Sequence, residues 1–329
     1  MLTKFFKIKI INALVILFTL ASPISSCNKS AVSQKMMGQE QQSAFNFEVS
    51  KNIDGYKEIF TICDPTIKPE NLSLEAMNKY AQDNFLGALG SAGKKERWEL
   101  ETKPILESRQ SELIPILRKL GYVDKVVPCD LLYDFVFIHG AAVATMQKRV
   151  AFLIQECLGV LKSDSVVYFL SGARPLQETE IFELKNIISA CSPDKDIDWE
   201  KIRTESDAAH ILWSCYSYKY PKLQVCFVDV PMIKEGDTER RPNTQDTINA
   251  ALLLVKKIPE FDKKCRWLAI SNNPYIPYQD AVMKAVLKKT IGFEYVILDT
   301  VGPEAKNNTT VVLFLDTVAK SIYSTIMGG

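Results

Sequence analysis

The sequence predicts a three-layer α/β fold of the Rossmann-like kind, with a mostly parallel sheet of about five strands and a helical lobe preceding it. Three observations carry that expectation. From Tyr133 onward, short runs that are apolar throughout alternate with amphipathic helical segments, the pattern of parallel strands covered on both faces. Five such runs occur, too few for the eight units of a (β/α) barrel. The 329 residues are 47% hydrophobic and 24% charged, enough apolar material for a large core and unlike a disordered, collagenous or disulfide-miniprotein composition.

Charge narrows the partners. Forty Lys and Arg stand against 39 Asp and Glu. Three of those lysines, Lys4, Lys7 and Lys9, lie in a leader without acids, which leaves 37 against 39, a balance of −2. No global basic field exists to attract nucleic acid, so no nucleic-acid partner is expected.

Taken in order, the chain opens with a processing segment, residues 1–27. The three lysines form a charged n-region, and Ile10 to Ala21 is an apolar stretch of signal-peptide length, short for a membrane span. Ile24-Ser25-Ser26-Cys27 closes it and resembles the bacterial lipobox, in which small residues precede the cysteine that becomes the lipidated N-terminus. On that reading Cys27 is the lipidation site, and the protein is tied to a membrane through its N-terminal lipid. The alternative is a plain secretory signal with Cys27 incidental. Residues 28–44 are rich in Ser, Gln, Lys and Met without apolar period and read as a flexible tether. No later segment approaches 18 consecutive apolar residues.

Residues 45–130 read as a helical N-terminal lobe. Leu72 to Leu89 and Lys94 to Leu120 mix charged and apolar residues at helical spacing, with Gly90, Gly93 and Gly121 as stops. Pro104 and Pro115 should divide the second stretch into two or three helices. Residues 131–329 form the Rossmann-like domain. Its expected strands are Phe135 to Ile138, Val166 to Leu170, Leu223 to Val230, Trp267 to Ile270 and Phe293 to Leu298. Between them fall helices with apolar faces at Met146, Val150, Leu153, Ile154, Cys157 and Leu161, and at Ile181, Leu184, Ile187 and Ile188. Further helices are expected over Trp199 to Tyr218, Thr244 to Lys257, Pro277 to Lys289 and Val311 to Met327. The seven cysteines beyond Cys27 are scattered, with no C-x-x-C, and read mostly as small buried hydrophobes. With His139 and His210 as the two histidines, no metal site is expected.

In an open parallel sheet, ligands bind beyond the carboxyl ends of the strands. Polar loops stand at those ends here: His139-Gly140, Ser171-Gly172-Ala173-Arg174, Asp229, Arg240-Arg241-Pro242-Asn243-Thr244, and Ser271-Asn272-Asn273. Gly140 and Gly172 each stand between a strand and a helix, where a missing Cβ lets backbone N–H groups approach an anion. Neither loop is a G-x-G-x-x-G or a Walker A motif. Asn243 or Thr244 can cap the following helix. Arg240 and Arg241 before that cap are unfavourable at the positive end of a helix unless an anion is near, so Arg241 with Arg174 suggests a phosphate or carboxylate site. The competing explanation is a basic loop balanced by Glu235, Asp237 and Glu239. His139 is a candidate general base and Asp229 a candidate acid, base or ribose ligand; their alternatives are a structural histidine and an Asx turn before Pro231. No Ser-His-Asp arrangement is readable, since G-x-S-x-G is absent.

The order of these loops resembles the SanA/ElyC/YdcF-like family of envelope-associated bacterial proteins, over about residues 133–299. The likeness rests on Gly140 followed by Arg149, on Ser171-Gly172 followed by an acidic residue at Glu178 or Glu180, and on Asn243-Thr244-Gln245-Asp246-Thr247, a variant of an Asn-Thr-x-Glu-Asn signature. It implies a Rossmann-like domain, and it adds Glu180 to His139 and Asp229 as candidate catalytic residues. The chain departs from the pattern where Thr247 replaces asparagine and where a final His-Arg loop gives way to Asn273-Pro274-Tyr275-Ile276-Pro277-Tyr278-Gln279. Two readings follow. The first is an exported, lipid-anchored envelope protein that binds a phosphorylated or nucleotide-like small molecule through Gly140, Ser171, Gly172, Arg174, Arg241, Asn243, Thr244 and Asn272, a transferase or hydrolase if catalytic. The second is a non-catalytic envelope binding or scaffold protein that keeps the fold.

Overall fold

The computed structural model describes residues 46–86, 103–129, 131–191, 197–258, 265–290 and 296–328. The leader, Cys27 and the tether lie outside the described residues. Four helices come first: α1 (Ile53–Cys63), α2 (Leu74–Asn84), α3 (Pro104–Glu107) and α4 (Gln110–Lys119). Ser73 caps α2 by accepting a hydrogen bond from the Ala76 N–H. Pro104 opens α3, where its missing N–H costs nothing, whereas Pro115 lies inside α4 without dividing it.

The α/β part follows as β1 (Tyr133–His139), α5 (Val143–Phe152), β2 (Leu161–Gly172), α6 (Glu178–Cys191), α7 (Glu205–Ser214), β3 (Gln224–Val230), the short strands β4 (Ile233–Glu235) and β5 (Thr238–Arg240), α8 (Thr244–Val255), β6 (Cys265–Ile270), α9 (Ile276–Thr290), β7 (Val296–Val301) and α10 (Val311–Gly328). The main sheet has five strands, all parallel, in the order β3-β2-β1-β6-β7. The strand order reverses at β1 and β6, so the crevice between their carboxyl ends is the position where such sheets hold ligands.

Period-two alternation divides the sheet residues between two cores. Val136, Ile138, Val167, Phe169, Leu268 and Ile270 pack under α5, α6 and α7. Phe135, Phe137, Tyr168, Trp267 and Ala269 pack under α8 and α9. In the second core Phe137 stacks between Tyr168 and Trp267, with ring centroids 5.3 and 4.9 Å away. A third core joins the first four helices to α10: Tyr56, Phe60, Leu113 and Leu117 meet Val311, Leu315, Val318 and Ile322. By length and composition α10 could cross a membrane, yet 61% of it is buried inside the fold. Residues from Gln42 onward form one compact unit.

Several boundaries differ from the sequence expectation. The helix after β1 does not reach Leu161: α5 ends at Phe152, a π turn (Leu153–Cys157) and a 3-10 turn (Leu158–Val160) follow, and Leu161 already belongs to β2. Leu161 pairs with Tyr133 while Val166 pairs with Phe135, so an irregularity pushes Lys162, Ser163 and Asp164 out to solvent and hides the start of the strand from any periodicity. The helix expected over Trp199 to Tyr218 is α7 flanked by 3-10 turns, because a Thr204/Asp207 capping box starts it late. Among the described residues, Cys63, Cys157, Cys191 and Cys226 are free thiols.

Candidate functional site

Arg149 occupies the reversal point of the sheet. It leaves α5 pointing back under the end of β1, is 2% exposed, and donates from Nη1 to the carbonyls of His139 (2.5 Å) and Gly140 (2.9 Å). Its Nε and Nη2 donate to Asn272 Oδ1 beyond β6, at 3.0 and 2.6 Å. One guanidinium thus ties together the two strand ends that bound the crevice. Asn272 in turn donates to the Asn273 carbonyl, and Ser271 donates to Gln279 on α9.

His139 stands at the end of β1, 1% exposed, and its Nε2 has no hydrogen-bond partner. Burial, reinforced by the charge of Arg149, lowers its pKa to about 3. Enclosure at the strand end shuts the His139 ring away from water and favours its neutral form. The expected general base is therefore a buried neutral histidine.

The anion expected at the helix N-termini is supplied by the protein itself. Glu180 Oε1 accepts from the Val143 N–H that opens α5 (3.3 Å) and from Arg174 Nη2 (2.8 Å). Its Oε2 accepts from Arg174 Nη1 (2.8 Å) and the Gln177 N–H (3.1 Å). The remaining Arg174 donor, Nε, goes to Glu205 Oε2 at 2.9 Å. All three side chains are nearly buried, at 14% exposure for Arg174, 8% for Glu180 and 12% for Glu205. Burial alone would raise the Glu180 carboxyl, but the bonds from Arg174 and the backbone hold it below its ordinary pKa. Glu205, with fewer donors, is pushed upward by burial against the pull of Arg174 and Arg149. Arg174 is thus held by two carboxylates, those of Glu180 and Glu205, and its Nη1 also donates to the Pro175 carbonyl at 3.3 Å.

Both glycines are explained by the same packing. A Cβ on Gly140 would lie 2.0 Å from Glu205 Oε1 and 2.5 Å from the Leu170 carbonyl, and one on Gly172 would lie 2.3 Å from Pro242 Cγ. The space left by each missing side chain is filled from within. The basic loop before α8 is balanced likewise. Arg240 pairs with Glu235 (2.5 Å) and with Asp246 (2.6 Å), the acid in the first turn of that helix. Asn243 and Asp246 form a reciprocal capping box, with Thr244 as the first helical residue and Arg241 exposed just before it.

The structure brings one set of expected residues together and adds a partner that the sequence did not single out. The register of β2 against β3 sets Ser171 beside Asp229, and Ser171 Oγ donates to Asp229 Oδ1 at 3.2 Å. Asp229 Oδ2 lies 2.8 Å from His210 Nε2 on α7. The His210 ring stacks on Phe227, with centroids 3.7 Å apart and planes 20° apart. The hydroxyl reaches the acid and not the imidazole, so the three are no serine triad. Asp229 and His210 side chains are 46% and 48% exposed, whereas Ser171 is fully buried. Arg149 and Glu205 also join these strand-end contacts, and of the two Arg149 alone has a sequence signal, through the resemblance.

The fold and these strand-end loops define an α/β protein with a Rossmann-like sheet. Comparison with protein-family models, with curated proteins and with solved structures returns no match.

Proposed function

We propose that the chain is an exported, lipid-anchored protein of the bacterial envelope whose Rossmann-like domain serves as a binding or scaffold body and does not handle a nucleotide. One observation carries the reading. The places where this sheet would receive a phosphate, at the start of α5 and beside Gly140, hold the carboxylates of Glu180 and Glu205, neutralised by Arg174. Kinship with the SanA/ElyC/YdcF-like family belongs to the same proposal, supported by Arg149 of α5 bonding the His139 and Gly140 carbonyls at the end of β1, by Ser171-Gly172 ending β2 and by Glu180 of α6 accepting from the Val143 N–H. The lipid anchor rests on the sequence before Asn28.

The competing reading, a phosphorylated or nucleotide-like ligand, is favoured by exposed Arg241 before the first turn of α8. A thermal-shift screen of residues 42–329 with nucleotides, nucleotide-sugars, phosphosugars and polyprenyl phosphates separates the two. The proposal expects no shift. A ligand at about 100 times its Kd adds about 2.7 kcal/mol, and a corresponding rise in Tm that Arg241→Ala removes would establish the competing reading. Fatty-acid labelling of the full chain, lost in Cys27→Ala, checks the anchor.

A further inference from the structure

We propose that His210 and Asp229 form a general-base dyad that hydrolyses uncharged esters at the outer carboxyl corner of the sheet. This inference goes beyond the reading above by adding an activity at a different corner of the sheet, and it uses neither the crevice beside β1 nor a phosphate. Its basis is orientation. A ring nitrogen 2.8 Å from an Asp229 oxygen must be the one that carries the proton, since a carboxylate can only accept. The Nε2–H tautomer leaves Nδ1 with a free lone pair on a ring that is 48% exposed. Stacking on Phe227 fixes the ring plane, and the Ser171 hydroxyl holds the second oxygen of Asp229. Imidazole and carboxylate are therefore both held in place before any substrate arrives.

The neighbours define the substrate class. Asp229 places a carboxylate, with its side chain 46% exposed, directly against the imidazole. That environment repels phosphates and carboxylates and admits neutral acyl compounds. Ser171 is fully buried and its hydroxyl is turned to Asp229, which leaves water as the nucleophile. In the step, Nδ1 removes a proton from water as the water oxygen bonds to the acyl carbon. The bond to the alcohol oxygen then breaks, and the imidazolium returns the proton to the departing alkoxide. Acid and alcohol are formed, and nothing is oxidised or reduced. His210 is the catalytic residue and Asp229 a positioning residue.

The test is p-nitrophenyl acetate hydrolysis by residues 42–329. Wild type should exceed an equal concentration of free imidazole and saturate with ester. His210→Phe, which keeps an aromatic ring over Phe227, should lose roughly 100-fold in rate while retaining its Tm. Asp229→Asn should lower kcat with KM unchanged and alter the pH at which the rate is half-maximal, a change that a purely structural role would not produce. Imidazole added to a His210→Ala variant should restore part of the rate. Wild-type activity no greater than free imidazole, or a folded His210→Phe as active as wild type, would overturn the proposal.

Discussion

His139 is held neutral because its ring is enclosed at the end of β1 with Arg149 beside it, giving a folded pKa of about 3 against an ordinary 6.5. The unfolded chain therefore binds more protons between those values, and stability falls as pH drops through that window. The contribution is fully present above about pH 6.5, and about 2 kcal/mol of it is lost by pH 5. Urea denaturation at pH 7 and pH 5 should show that loss in wild type and not in His139→Asn. Arg174 gives a second prediction at this scale. Arg174→Met leaves Glu180 and Glu205 buried without their shared cation and should cost about 3–5 kcal/mol, measured by denaturant midpoint. Adding Glu180→Gln and Glu205→Gln to that variant should recover much of the loss, because the uncompensated charge, more than the missing contact, is what destabilises.

Among elements, α8 shows how much a short polar sequence can settle. Its start is fixed by the Asn243/Asp246 box, so Asn243→Ala should cost about 1 kcal/mol in thermal or chemical denaturation without altering the rest of the sheet. That cap was legible in Asn243-Thr244-Gln245-Asp246 because capping is local. So were the apolar centres of β1, β2, β3 and β6, with residues such as Val136 and Leu268 buried in the core under α5, α6 and α7, whereas the last strand, expected over Phe293 to Leu298, is β7 at Val296–Val301 because it carries polar Asp299 and Thr300 into the sheet. The partners of the strand-end loops were not legible. Arg174 meets Glu205 across 31 residues and Asp229 meets His210 across 19, distances over which no spacing rule operates. The sequence marked a basic, glycine-bearing edge and suggested a missing anion; folding brings two glutamates to it. The β4–β5 hairpin went unseen for a different reason, since its strands are three residues each and mostly charged, with Gly236 at φ 64° making the turn.

At the scale of the whole molecule, the helical lobe and the sheet domain are not independent, because Tyr56, Phe60, Leu113 and Leu117 bury themselves on α10. Residues 42–329 should therefore unfold in one cooperative transition by calorimetry, with calorimetric and van't Hoff enthalpies equal. A chain cut to residues 131–329 should expose the α10 face and aggregate; two separate transitions in the longer chain would contradict this. The same arrangement has a kinetic meaning during synthesis. The first helices leave the ribosome long before α10 exists, so the part of their apolar surface that α10 covers stays open until roughly two hundred further residues have been added. The final helix is thus the closing element of the helical core, whereas the two sheet cores can assemble before it is made.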